Sequence, residues 1–281
     1  MRPLRLLVTL PGFPRRPLSR LTGCLARRRL PPALRRRLWP LLARAFGIER
    51  QAVPGAWEDY PSFLDLFTRP LPEGSRPLPP GYAWLSPADG RLLERAPAAP
   101  EGSWWIKGVP YSTVELLPGS DPRDWLDHQV LQIYLAPRDY HRFHAPCALT
   151  VRRAVALEGG LQPVDPGLAR RSLRVLARNR RVFLDCRSAA GERLGLLFVG
   201  ALNVGGIRFT FDASLGGHPF VAGSRRYDPP LAVEAGQELG RFELGSTVLL
   251  FAPRELRPLR QPGETCRARE PLLAGGREQE R

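Results

Sequence analysis

Between residues 82 and 252 the chain is a succession of short apolar runs separated by Gly, Pro and Asp. The runs are Tyr82 to Leu85, Val130 to Leu135, Leu149 to Leu157, Val182 to Cys186, Leu194 to Val204, Ile207 to Phe211 and Thr247 to Phe251. Most are too short for buried helices, and they are rich in Val, Leu and Phe, so they read as strands. The expected fold is α+β, with a mainly antiparallel, sandwich-like β core. A chain of 281 residues, 43% hydrophobic and 25% charged, is large enough to bury such a core. No internal repeat or low-complexity tract interrupts it.

Helical spacing is confined to the N-terminal part. Leu34, Leu38, Leu41, Leu42, Ala45 and Phe46 recur on one face, with Arg35, Arg36, Arg37 and Arg44 elsewhere. Pro31, Pro32 and Pro40 limit helix length, although Pro32 suits a first turn. A short helix is expected at Ser62 to Thr68, before the Pro-rich stretch from Pro70 to Pro80. Three regions follow: a basic helical segment over 1–55, a β-rich body over 56–256, and a polar, loose tail over 257–281.

Charge sets the N-terminal segment apart. The net charge is +15, and the first 50 residues hold thirteen Arg against one acid, Glu49, which accounts for +12 of it. Such a segment seeks an anionic surface, either acidic lipid or phosphate backbone. A coding bias also contributes, because the chain has 41 Arg and one Lys, Lys107, but bias does not explain the scarcity of acids. The amphipathic face lies either on the protein's own core or on a membrane. The apolar stretch Leu6 to Leu10 is too short for a membrane span, which needs roughly 20 residues, or for a signal peptide. Any membrane contact is therefore expected to be peripheral, on the cytoplasmic face. Four widely spaced cysteines without a CxxC pair predict no disulfide framework and suit a reducing compartment.

Three features carry candidate chemistry. The first is the histidine pair of Pro137-Arg138-Asp139-Tyr140-His141-Arg142-Phe143-His144, at the i, i+3 spacing that shares one face of a helical turn. Zinc would need a third protein ligand, with Asp139, Cys147, His128 and His218 as the candidates; no HExxH pattern supplies one, and no metal is expected. Imidazoles satisfied by structural hydrogen bonds, or a pair that handles protons, are the other readings. The second feature is Ser86-Pro87-Ala88-Asp89-Gly90, an ordinary Asp-Gly turn unless a histidine needs an orienting carboxylate. The third is Leu244-Gly245-Ser246-Thr247 before an apolar run. It is either a Gly-Ser turn entering a buried strand, or a bend that lets the Ser246 hydroxyl approach the preceding carbonyl. Together they offer Asp89, His144 (or His141) and Ser246 in the roles of a Ser-His-Asp unit.

In this order these motifs resemble the bacterial phosphatidylserine decarboxylases. So do Phe67-Thr68-Arg69-Pro70-Leu71, Arg178-Asn179-Arg180-Arg181-Val182 and Val199-Gly200-Ala201, and the likeness runs over roughly residues 55 to 252. The resemblance implies a pyruvoyl enzyme that makes its own cofactor. His144, oriented by Asp89, would deprotonate Ser246, which attacks Gly245. Chains 1–245 and 246–281 would result and stay together as a heterodimer, open to further homo-oligomerisation. The pyruvoyl group from Ser246 would form a Schiff base with phosphatidylserine and yield phosphatidylethanolamine. His141, with His144 as the alternative, would protonate the product. The anionic membrane surface becomes the partner of the basic segment, and nucleic acid is not expected to be one. The rival readings are a serine hydrolase, which lacks a GxSxG elbow, and a basic binding module without chemistry.

Overall fold

The computed structural model describes residues 15–81, 84–165, 174–201, 206–217 and 219–275. The Leu6 to Leu10 stretch, Tyr82, residues 202–204 and His218 lie outside them.

An eight-stranded antiparallel sheet forms the body. Its spatial order is Gly223–Val233, Leu149–Leu157, Arg181–Ser188, Arg193–Gly200, Ser246–Pro253, His128–Leu135, Gly90–Pro97 and Thr265–Cys266. Its central strands are apolar on both faces because both faces are covered, and adjacent side chains take opposite sides. Val248, Leu250, Leu196 and Phe198 point into one core, where the Phe143 ring lies tilted 4.1 Å from Phe198 and meets Phe242 edge-on at 5.0 Å. Leu249, Phe251, Leu197 and Val199 point into the other, where Trp104 meets Phe251 edge-on at 5.0 Å. Each fully buried side chain of this size stabilises by roughly 1.5–3 kcal/mol. The first core is closed by a three-stranded sheet of Gly206–Phe209, Glu238–Glu243 and Arg142–His144. The second is closed by the hairpin Ser103–Ile106 and Val109–Ser112 and by short helices.

Five α-helices occur among the described residues: α1, Arg15–Arg27; α2, Pro32–Phe46; α3, Phe63–Phe67; α4, Thr113–Leu116; and α5, Val175–Arg178. Helix α2 starts on Pro32, runs through Pro40, and ends at Gly47, whose φ of 77° provides the left-handed stop. Its buried side is set by Trp39 and Ala43 and not by the residues that the spacing put on one apolar face; of those, only Leu38 and Leu42 pack against the core. Trp39 and Ala43 are buried against Ile48, Val53, Tyr60 and Leu66, and Trp39 donates to the Tyr60 carbonyl at 2.8 Å. Leu34, Leu41 and Phe46 remain exposed. Helix α3 is capped by Ser62 and Asp65 in a reciprocal capping box.

Two departures from the sequence reading matter for the site. Residues 257–275 are not a loose tail. Thr265–Cys266 pairs with the Gly90–Pro97 strand, and Pro271–Ala274 joins Trp84–Leu85 to Arg257–Pro258. The buried residues Cys266, Leu272 and Leu273 anchor this stretch despite its polar average. The second departure concerns the histidine pair, which does not share a helical face. Arg142–His144 is a strand paired with residues 238–241, so the two imidazoles stand in different surroundings.

Candidate active site

Glu243 ends a strand of the small sheet, and Ser246 begins a central strand of the large one. The chain crosses between the sheets on two successive left-handed residues, Leu244 at φ 66° and Gly245 at φ 74°. Glycine takes this conformation freely, whereas at Leu244 it costs on the order of 1–3 kcal/mol. The packing of Leu244 against Ala26 of α1 and Phe67 of α3 holds the crossing. Glu243 adds a second anchor: its carboxylate is almost fully buried and pairs with Arg27 of α1 and with Arg208, the latter at 2.6 Å.

Ser246 is fully buried and is paired with Leu135 on one side and Gly200 on the other. Its hydroxyl has no hydrogen-bond partner. An orphaned buried hydroxyl costs about 1–3 kcal/mol and is uncommon enough to need a reason. The Gly245 carbonyl, by contrast, accepts the Ala201 N–H at 3.0 Å. The carbonyl that Ser246 would attack is thus already polarised by a fixed donor.

His141 is fully buried, with its ring 4.0 Å from that of Phe67. Nδ1 lies 2.8 Å from the Asp139 carbonyl and donates to it; Nε2 has no partner. Burial pulls its pKa down to about 3, so the ring is neutral, with its free nitrogen available to accept a proton. Phe67 also touches Leu244, so His141 and the crossing share one apolar cluster.

His144 is also held neutral by burial. Nδ1 donates to the Gly236 carbonyl at 2.9 Å, and Nε2 faces the Tyr140 hydroxyl at 3.0 Å. Asp89 forms a two-point ion pair with Arg76 and accepts the Ala268 N–H at 2.8 Å. The Arg76 guanidinium sits over the Tyr140 ring, 5.5 Å from its centre. Asp89, Arg76, Tyr140 and His144 therefore form a chain of contacts. Direct hydrogen bonds between His144 and Asp89, or between either histidine and Ser246, are not formed in this arrangement. Tyr140, Arg76 and Glu243 were not singled out from sequence as site residues. Tyr140 stood inside the histidine motif; Ala201 stood in the Val199-Gly200-Ala201 motif, but with no role, because it acts through its backbone.

His128 contacts the Arg193 carbonyl at 3.0 Å and packs on Trp125, a structural role. Cys147 is buried and its pKa is pushed up to about 12, which makes it unreactive. Among the described residues no helix is long and apolar enough to cross a membrane.

Comparison with known proteins adds a second line of evidence. The family model described as phosphatidylserine decarboxylase matches residues 63–274. A phosphatidylserine decarboxylase proenzyme of Halorhodospira halophila is 38% identical over 245 residues, covering 86% of this chain and 82% of its own. Proteins of the same description from Anaeromyxobacter sp. and Helicobacter pylori are 36% and 34% identical. They cover 92% and 83% of this chain, and 94% and 88% of their own.

Proposed function

The chain belongs to the phosphatidylserine decarboxylase family, and on that premise we propose that it converts phosphatidylserine to phosphatidylethanolamine after cutting itself at Gly245-Ser246. The observation that carries the reading is the Ser246 hydroxyl, buried and unpartnered directly after a left-handed Gly245.

In the self-cleavage step, Ser246 Oγ attacks the Gly245 carbonyl carbon. Its proton passes to His144 Nε2 once that nitrogen exchanges the Tyr140 hydroxyl for Ser246. The Ala201 N–H stabilises the oxyanion. The Gly245–Ser246 C–N bond breaks, the nitrogen takes the proton, and an ester joins the two chains. Elimination then passes the Ser246 Cα proton to the freed His144, forms the Cα=Cβ double bond, breaks the Cβ–Oγ bond and releases the Gly245 carboxylate. Water hydrolyses the remaining dehydroalanine, releasing ammonia. Asp89 holds Arg76 against the Tyr140 ring and so fixes the wall beside His144 without bonding to the imidazole. Conversion removes the orphaned hydroxyl, which is why this residue suits a pyruvoyl precursor.

The pyruvoyl carbonyl supplies an electron sink for the pair left when carbon dioxide departs. The other parts come from the chain itself. His141, neutral and open at Nε2, takes a proton from the substrate ammonium and returns it to the substrate carbon after decarboxylation. The apolar cluster of Phe67 and Leu244 keeps water away from this exchange.

The basic helical segment, 1–55, docks on the cytoplasmic face of the membrane, beside the β-rich body over 56–256. Leu21 and Leu25 of α1 and Leu34 and Leu41 of α2 are exposed, at 57%, 58%, 47% and 62%, among exposed Arg28, Arg29, Arg37 and Arg44. Apolar insertion and attraction to anionic lipid favour the same surface. Chains 1–245 and 246–281 remain one heterodimer. Mass spectrometry tests the whole reading: two chains split at 245/246, the smaller without an α-amino group, are expected from the wild type and none from Ser246→Ala. An intact, active wild-type chain would overturn it and favour a serine hydrolase.

A further inference from the structure

In the motif Phe67-Thr68-Arg69-Pro70-Leu71, Phe67 packs on His141, but Arg69 has no part in the chemistry above, although it is the most deeply buried arginine among the described residues. Arg69 is 2% exposed. Its Nε donates to the Ala52 carbonyl at 2.8 Å, and Nη2 lies 3.4 Å from the Arg138 carbonyl. Nη1 has no partner. Arg69 lines a cavity of about 380 Å³ together with Arg76, Arg138, Arg267, Asp89 and Tyr140.

We propose that this cavity is a phosphate subsite, with the unpartnered Nη1 of Arg69 as its floor and Arg138 and Arg267 at its rim; the inference rests on the function proposed above. The cavity has three carboxylates, and each is already answered. Asp89 is paired with Arg76, Asp139 accepts the Ala136 N–H at 2.7 Å and lies 3.7 Å from the Arg138 guanidinium, and the exposed Glu49 accepts from the Gln51 amide at 3.2 Å. Burial also raises the Asp139 pKa, toward the neutral form. That leaves a buried guanidinium with an open donor, and a planar fork of this kind suits phosphate oxygens.

Position links the cavity to the reaction. Ser246 pairs with Leu135, and the next residue, Ala136, opens the turn that carries Arg138, Asp139 and Tyr140 into the cavity wall. A phospholipid headgroup carries its phosphodiester a few bonds from its reacting amine. The subsite therefore requires the amine end at residue 246 and the phosphodiester end at Arg69, on the far side of the turn that begins at Ala136. Free phosphate has the same oxyanion chemistry and is the second source.

The test compares two soluble amines: glycerophosphoserine, which carries the phosphodiester, and O-methylserine, which lacks it. Arg69→Gln and the rim variant Arg138→Ala should each raise KM for glycerophosphoserine about tenfold, the order expected for one charge-assisted hydrogen bond. KM for O-methylserine should stay within about twofold on the same basis. Equal losses on both amines would overturn the proposal, because a merely structural role would produce them.

Inorganic phosphate separates the sources. Competitive inhibition against glycerophosphoserine, lost in Arg138→Ala, identifies the lipid headgroup as occupant. Inhibition that is not competitive but is likewise lost identifies free phosphate. A ³¹P titration of the unprocessed Ser246→Ala chain reads the cavity without any turnover, so a failure of the decarboxylase reading stays distinguishable from a failure of the subsite. No phosphate binding there, or binding unchanged by Arg138→Ala, would overturn the subsite alone.

Discussion

The Tyr140 hydroxyl lies 3.0 Å from Nε2 of His144, and the other imidazole nitrogen is committed to the Gly236 carbonyl. Tyr140 therefore occupies the nitrogen that the proposed self-cleavage step needs. Tyr140→Phe should lose about 1 kcal/mol of stability for the missing hydrogen bond. It should process at least as fast as the wild type, because Nε2 is released. A pulse-chase of precursor and product on a gel checks this. Processing tenfold slower would show that the hydroxyl positions His144 instead of restraining it.

Gly245 holds φ at 74°, in the region where a Cβ is disfavoured. Gly245→Ala should cost roughly 1 kcal/mol in the precursor and slow self-cleavage by an order of magnitude or more, since the carbonyl shifts away from the Ala201 N–H. Residual precursor measured by mass after fixed times gives the rate. Wild-type processing of this variant would mean that the bend is incidental.

His141 gives a pH dependence with a definite sign. Its folded pKa is near 3, against about 6.5 in an unfolded chain. Between those values the unfolded chain binds a proton that the folded chain refuses. The stability contribution is complete above about pH 6.5 and declines toward pH 3, by up to about 1.4 kcal/mol per unit. His144, shifted in the same direction by burial, steepens the limb. Urea unfolding from pH 7 to pH 4 should show a shallower decline for His141→Asn than for the wild type, and parallel curves would refute the assignment.

Glu243 joins the N-terminal helix to the crossing. Its buried carboxylate binds both Arg27 and Arg208, so Glu243→Gln leaves two guanidinium groups without their counter-charge. A loss of about 3 kcal/mol is expected, at the lower end for a broken buried pair because Arg27 and Arg208 are partly exposed. Amide exchange should quicken first in Arg15–Arg27, ahead of the central strands.

Leu25→Asp combined with Leu41→Asp should reduce flotation with anionic vesicles at least tenfold, because each exposed leucine would contribute roughly 1–2 kcal/mol on insertion. Self-cleavage, which involves no lipid, serves as the control for folding. Undiminished flotation would place the docking surface elsewhere.

The sequence made the central strands legible because both of their faces are buried, which leaves uninterrupted apolar runs such as Thr247 to Phe251. It hid Gly223–Val233, whose exposed edge position allows polar residues and Pro229 and Pro230. It hid the strand at Arg142–His144 because a three-residue strand has no period of its own; only its partner at 238–241 defines it. Asp89, His141, His144 and Ser246 were legible as residue types in motifs. The Asp89–Arg76 pair was not, since Arg76 lies in a Pro-rich stretch whose path the local pattern does not fix. Ala201 was legible as part of the Val199-Gly200-Ala201 motif, but its role was not, because its contribution is an N–H that every residue but proline has.

The strand that begins at Ser246 is hydrogen-bonded along both edges within the large sheet, and the chain beyond it pairs again at Thr265–Cys266 and Pro271–Ala274. Before the proposed cut, the sheet closes within one chain. After it the same sheet would close only when two separate polypeptides meet, so stability would acquire a dependence on protein concentration from this source that the precursor lacks. Self-cleavage would thus divide the life of this protein thermodynamically: the sheet is first completed within a single chain, and any later recovery from unfolding becomes an assembly reaction.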